Sequence, residues 1–211
     1  IMNGQFISFE GGEGSGKSTQ LKLLASAFEK SGLPFIATRE PGGSAGAEKI
    51  RSLLVSGETD SWDPLTETLL FNAARADHIN RLIKPAIAEG KTVICDRFFD
   101  STLVYQGIGK GLGTAYIKSL HHLIFGSFMP TLTIILDIAP EEGLKRAGAR
   151  AGNENRFEQL DIEFHKKIRA GFLEIAGSEP QRCVVLDAAG EVNILHQQIM
   201  ETIRVRCGIA L

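Results

Sequence analysis

A chain of 211 residues with 43% hydrophobic content can bury one sizeable core. Its 23 Lys plus Arg against 25 Asp plus Glu leave a net charge of −2, without the basic excess that a general nucleic-acid or membrane-surface binder needs. Three cysteines, Cys95, Cys183 and Cys207, share no metal-ligand spacing and no apolar stretch approaches a membrane span, so buried thiols at Cys95 and Cys183 and a reducing cytoplasm are expected, with no nucleic-acid or membrane partner.

Ile1 ahead of Met2 reads as a remnant in front of the initiator. The chain then enters an apolar run, Phe6–Glu10, the first of five short runs read as strands buried on both faces; the others are 35–38, Thr92–Asp96, Leu132–Asp137 and Cys183–Asp187. Directly after the first run, residues 11–18 read Gly-Gly-Glu-Gly-Ser-Gly-Lys-Ser, a complete G-x-x-x-x-G-K-S loop, and a helical run over 20–30 follows. Strand before and helix after is the context in which such a loop cradles phosphates with its amides and the helix N-terminus. Lys17 adds a mobile charge for the β- and γ-phosphates, and Ser18 is placed to coordinate Mg²⁺. The chain is therefore expected to bind a nucleoside triphosphate through Gly11, Gly12, Glu13, Gly14, Ser15, Gly16, Lys17, Ser18 and Thr19.

The second strand runs into Thr38-Arg39-Glu40-Pro41-Gly42-Gly43, an extended-then-turn path at the ligand-bearing edge of a parallel sheet. Phe71 and Arg75 lie four apart in a helical stretch and share a face. Such a pair can stack on a nucleobase and donate to its edge, or the phenyl ring can simply be core. The third strand ends in Asp96-Arg97, either a surface ion pair or a Mg²⁺ carboxylate beside a phosphate-bridging arginine. Asp100-Ser101-Thr102 and Tyr105-Gln106-Gly107 follow closely. Residues 148–158 are polar and glycine-containing, an ordinary connector or a lid whose arginines close over phosphates. Leu160, Phe164, Ile168, Phe172 and Ile175 form one helical stripe, and Val192, Leu195, Ile199 and Ile203 another. Alternating βα units predict an α/β fold of three layers, a five-stranded parallel sheet flanked by helices, in a single domain over 2–211.

A phosphate-binding loop alone leaves kinase, ATPase and GTPase open. Taken together, F-E-G-G-E-G-S-G-K-S-T, T-R-E-P-G-G, F-N-A-A-R, D-R-F-x-x-S and Y-Q-G, in that order over 9–107, closely resemble the thymidylate kinase family of P-loop nucleoside monophosphate kinases. Weaker resemblance continues through P-T-L-T-I-I-L-D, L-K-R-A and R-F-E. The resemblance implies a P-loop NTPase fold with a small lid, transfer of the γ-phosphoryl of ATP to dTMP, Mg²⁺ as cofactor and a homodimer. It implies that Arg39, Glu40, Arg51 and Arg97 serve the acceptor, with the three arginines on the dTMP phosphate. Phe71 would stack on thymine, Arg75 would donate to its edge, and Ser101 and Gln106 would read further base atoms. Tyr105 would lie near the sugar's 2′ carbon and Glu13 near its 3′ hydroxyl. Ser18 and Asp96 would hold Mg²⁺, Lys17 and Arg97 would act in catalysis, and the basic lid would supply Arg150 as the finger, with Arg146 and Arg156 in support. Where related bacterial lids often read R-A-R-A-R-G, residues 146–151 here carry glycine at the middle arginine.

Two rivals remain. Another monophosphate or nucleoside kinase would share the donor loop and differ in the base pocket. A GTPase switch would use Asp187-Ala188-Ala189-Gly190 as its D-x-x-G, yet no N-K-x-D follows to read guanine.

Overall fold

The computed structural model of the chain describes residues 4–149 and 155–211. The five expected strands form one parallel sheet in the order β2-β3-β1-β4-β5, with β1 (Phe6–Glu10) central. On one side β1 pairs with β3 (Thr92–Asp96), Phe9 facing Asp96, and β3 pairs with β2 (Phe35–Arg39). On the other it pairs with β4 (Leu132–Asp137), which pairs with β5 (Cys183–Asp187). β2 runs one residue beyond the expected 35–38, because Arg39 still pairs with Asp96.

Alternation along each strand sends side chains to two apolar clusters, one per face. Ile7, Phe9, Ile94 and Ile134 meet α1 (Lys17–Ser31) and α9 (Val192–Cys207) through Leu24, Phe28, Leu195, Ile199 and Ile203. Phe6, Val93, Cys95 and Ile135 face the opposite way, against Phe98, Leu103, Val104 and Phe172. Cys95 and Cys183 are buried, as their apolar runs suggested. Among the described residues, no helix is long and apolar enough to cross a membrane.

Two further helices set the cavity walls. α2 (Ala45–Leu54) leads to α3 (Pro64–His78), which begins under an Asp63 carboxylate accepting from Leu65 and Thr66 N–H groups, with Pro64 in the first turn. α3 continues through a π-helical turn, Ile79–Ile83, into α4 (Lys84–Ala88). After β3 come α5 (Phe99–Thr102), a second π-helical stretch Leu103–Gly109, and α6 (Thr114–Phe125). α7 (Pro140–Gly148) follows β4, and α8 (Ile162–Ser178) precedes β5. The stripe expected from Leu160 starts later: the Asp161 carboxylate accepts from Phe164 N–H and caps α8, leaving Leu160 outside it.

Candidate active site

The first strand ends at a left-turning loop that only glycine accommodates. Gly14 has φ +66°, and a Cβ there would overlap the Gly143 carbonyl of α7. The same constraint recurs at Gly43 (φ +87°), where a Cβ would overlap the Thr38 hydroxyl and the His78 ring. Both glycine-rich motifs are thus close approaches of backbone to a neighbouring element.

Lys17 curls over the loop and donates to the carbonyls of Gly11 (3.1 Å) and Gly12 (2.8 Å) and to Ser15 Oγ (3.2 Å). Burial, with the Arg97 guanidinium beside it, pulls its ammonium down to about 8. Ser18 Oγ donates to Asp96 Oδ2 at 2.7 Å, joining the start of α1 to the end of β3. Thr19 is exposed on α1.

Arg97 takes a left-handed backbone, φ +69°, which aims its side chain back across the loop. Nη1 donates to Gly11 O (3.1 Å) and Ser101 Oγ (3.0 Å); Nη2 donates to Glu13 Oε1 (2.8 Å) and Tyr105 Oη (3.2 Å). Tyr105 Oη also donates to Glu13 Oε1 at 2.8 Å. Burial works against the Glu13 carboxylate, yet Arg97 and Lys17 hold it down at about 2. Beneath this group Glu10, fully buried, accepts from Phe98 N (2.8 Å), Ser101 N (3.3 Å) and Ser101 Oγ (2.6 Å). Burial and the nearby Asp100 carboxylate push Glu10 well above the usual carboxylate range.

The phosphate-binding loop opens into a cavity of about 580 Å³ whose lining includes Lys17, Ser18, Arg39, Arg51, Phe71 and Arg75. Arg97, Asp96, Ser101, Tyr105, Gln106, Glu13 and Glu40 border the same space, so residues from five separate motifs converge there. Arg39 is half-exposed and paired with Glu48 at 3.1 Å, and Arg51 Nη1 donates to Pro41 O at 2.7 Å. Phe71 stands in the cavity wall. Arg75, 2% exposed, donates to Glu40 Oε2 (2.7 Å), Phe98 O (3.2 Å) and Thr102 Oγ1 (2.9 Å), while its Nη1 has no hydrogen-bond partner among the described residues. Glu40 uses both oxygens internally, the second on His78 Nδ1 at 3.0 Å. Gln106 Nε2 donates to Glu67 Oε1 at 2.8 Å.

The lid arginines fare differently from expectation. Arg150 lies outside the described residues. Arg156, expected to support catalysis on phosphate, is 1% exposed and does not border the cavity. Its guanidinium is consumed by Glu67 (2.6 Å) and by the carbonyls of Leu54, Glu58 and Thr59, so it clamps the chain instead. Arg146 is turned to Glu142 and to the carbonyls of Ala188 and Ala189. Asn155, Phe157 and Glu158 do border the cavity. Asp187, the residue a GTPase switch would need, ends the edge strand outside the cavity lining, with Oδ1 accepting from Ala189 N.

Sequence reasoning missed Glu67 and His78, although the signal was present. Positions 67, 71, 75 and 78 recur at four, four and three residues, so one face of α3 carries all four side chains to the cavity region. It gave no role to Phe157 and noted Glu10 only as a charged strand end.

The family model for thymidylate kinase matches residues 9–199. A thymidylate kinase of Caulobacter vibrioides is 52% identical over 209 residues, covering 99% of this chain and 100% of that protein. One of Dinoroseobacter shibae is 54% identical over 184 residues, 87% of this chain and 88% of that protein. Among solved structures, thymidylate kinase from Ehrlichia chaffeensis superposes with a TM-score of 0.79 at 35% identity, over 95% of this chain and 99% of that one. The family model over residues 9–199 and relatives about half identical over most of the chain show that the chain belongs to the thymidylate kinase family.

Proposed function

We propose that this chain transfers the γ-phosphoryl group of ATP to dTMP, giving dTDP and ADP, as one P-loop kinase unit over 2–211. The observation that carries the reading is a cavity lined together by the phosphate-binding loop, by Arg97, by the Phe71 ring and by Arg75, whose buried Nη1 has no hydrogen-bond partner among the described residues. An acceptor monophosphate oriented by its base at Phe71 and Arg75 brings its phosphate to Arg97, Arg39 and Arg51. A phosphate oxygen attacks the γ-phosphorus, the bond from that phosphorus to the β–γ bridging oxygen breaks, and ADP leaves. The acceptor phosphate is already a nucleophile, so the protein's work is alignment and charge cancellation between two anions. Arg97 exchanges its contacts with Glu13 and Ser101 for phosphate oxygens, and each such donor that tightens in the transition state contributes about 3–4 kcal/mol. Tyr105 and Glu13, joined at 2.8 Å, border the space assigned to the sugar.

Ser18 Oγ and Asp96 Oδ2, two hard oxygen donors beside the phosphate cradle, would hold a Mg²⁺ ion. Such an ion would supply charge neutralisation on the β- and γ-phosphates. Arg150 is the proposed finger. A cytoplasmic homodimer completes the reading, and a single monomeric species in sedimentation at working concentration refutes the dimer.

The test is ADP production from ATP, with and without Mg²⁺, against dTMP, dUMP, dCMP, UMP, AMP and GMP, with Arg97→Ala as control. Turnover is expected with dTMP above all others, dependent on Mg²⁺ and lost in the variant. Better turnover with another monophosphate, or hydrolysis independent of acceptor, overturns it.

A further inference from the structure

Glu67 of α3 is a fully buried carboxylate beside the cavity, at 0% exposure. Its Oε2 accepts from Arg156 Nη1 (2.6 Å) and Lys110 Nζ (2.8 Å), and its Oε1 accepts from Gln106 Nε2 (2.8 Å). Flanked by two cations, Glu67 is a carboxylate and can only accept hydrogen bonds. Gln106 must therefore turn its amide nitrogen toward Glu67, which leaves the amide oxygen as the atom offered to a ligand. Gln106 borders the cavity and is otherwise buried, so this orientation is chemically consequential.

The same carboxylate seats a second wall element. Arg156 clamps the chain to the carbonyls of Leu54, Glu58 and Thr59. Its neighbour Phe157 borders the cavity, with ring centroids 6.2 Å from Phe71 and 5.6 Å from Tyr105. The Arg156 and Lys110 cations, both held by Glu67, lie 5.3 Å and 5.8 Å from the Phe157 ring.

We infer that Glu67 is a positioning residue for base selection: it fixes Gln106 with the amide oxygen presented to the acceptor base and, through Arg156 and Lys110, holds Phe157 in the cavity wall. The inference rests on the thymidylate reading and deepens it. An oxygen acceptor favours a pyrimidine carrying a ring N–H, such as thymine or uracil. It disfavours cytosine, whose corresponding ring nitrogen is itself an acceptor, so two lone pairs would face each other. Glu67 never touches the base.

The test compares kcat/KM for dTMP and dCMP in wild type, Glu67→Gln and Arg156→Lys. Glutamine at 67 can present either oxygen or nitrogen, which frees Gln106 to flip. The dTMP-to-dCMP ratio is expected to fall about tenfold, the scale of one hydrogen-bond preference. Arg156→Lys keeps the carboxylate and hence the Gln106 orientation, but cannot span three carbonyls. It is expected to raise KM for both acceptors while leaving their ratio unchanged. A purely structural role for Glu67 lowers both acceptors by one factor, and that outcome, or an unmoved ratio, overturns the inference. Should Glu67→Gln fail to fold, Glu67→Gln with Lys110→Met restores the net charge of the cluster and is read by the same ratio. A wild type that prefers dCMP sinks the thymidylate reading by itself, whereas a ratio insensitive to position 67 sinks only the role of Glu67. No turnover of either nucleotide overturns both.

Discussion

Replacing Arg97 by lysine isolates what the guanidinium does, because lysine carries the same charge and inherits the same left-handed backbone at φ +69°. The strain of a non-glycine residue there is common to both and cancels. What differs is the fork. Arg97 reaches Gly11 O and Ser101 Oγ with one terminal nitrogen and Glu13 Oε1 and Tyr105 Oη with the other, at 2.8–3.2 Å. A lysine ammonium is a single point on a flexible stem and serves one of these pairs. The lost nitrogen is also the lost second contact to the transferring group, worth about 3–4 kcal/mol in the transition state, or roughly 10²–10³ in kcat. KM for ATP is expected to change little, since Lys17 and the loop amides remain. The assay is ADP release at saturating Mg-ATP and dTMP, with thermal unfolding of both proteins alongside. A kcat within tenfold of wild type in a folded variant refutes the reasoning, because charge alone would then suffice.

Two further perturbations follow from the electrostatics. Glu13 sits at about 2 in the folded chain against 4.5 for the ordinary carboxyl, so the unfolded chain binds the extra proton. Its contribution to stability is fully present above pH 4.5 and is lost as pH falls toward 2, on the order of 3 kcal/mol. Glu13→Gln is expected to flatten the unfolding free energy in that window, and an unchanged acid limb in urea titrations at several pH values refutes the pairing. Glu40→Gln leaves the Arg75 guanidinium, 2% exposed, without its counter-charge. A cost of about 3–5 kcal/mol is expected, as for breaking a buried pair from one side. Unfolding free energies from denaturant titration that differ by less than about 1 kcal/mol, well below that range, show that the Phe98 carbonyl, Thr102 and solvent hold Arg75 adequately.

What the sequence determined is whatever consecutive residues can specify. The strand, glycine loop and helix of residues 6–31 are local chemistry: a short apolar run, left-handed turns only glycine accepts, and a lysine at the loop's end. The five strands and the ordered motifs were legible for the same reason, as was Phe71 beside Arg75, since helical spacing alone puts them on one face. Tertiary structure decided the pairings. Ser18 with Asp96, Arg97 with Glu13 and Arg75 with Glu40 lie 78, 84 and 35 positions apart, and only the parallel sheet order brings them within 3 Å. Arg156 shows the contrast best. In sequence it is a basic residue in a polar, glycine-containing stretch, which reads as a lid arginine; in the fold a buried carboxylate on α3 claims it. A charge's role depends on which counter-charge packing sets against it, and that partner, Glu67, comes from a distant helix that no local pattern connects to it.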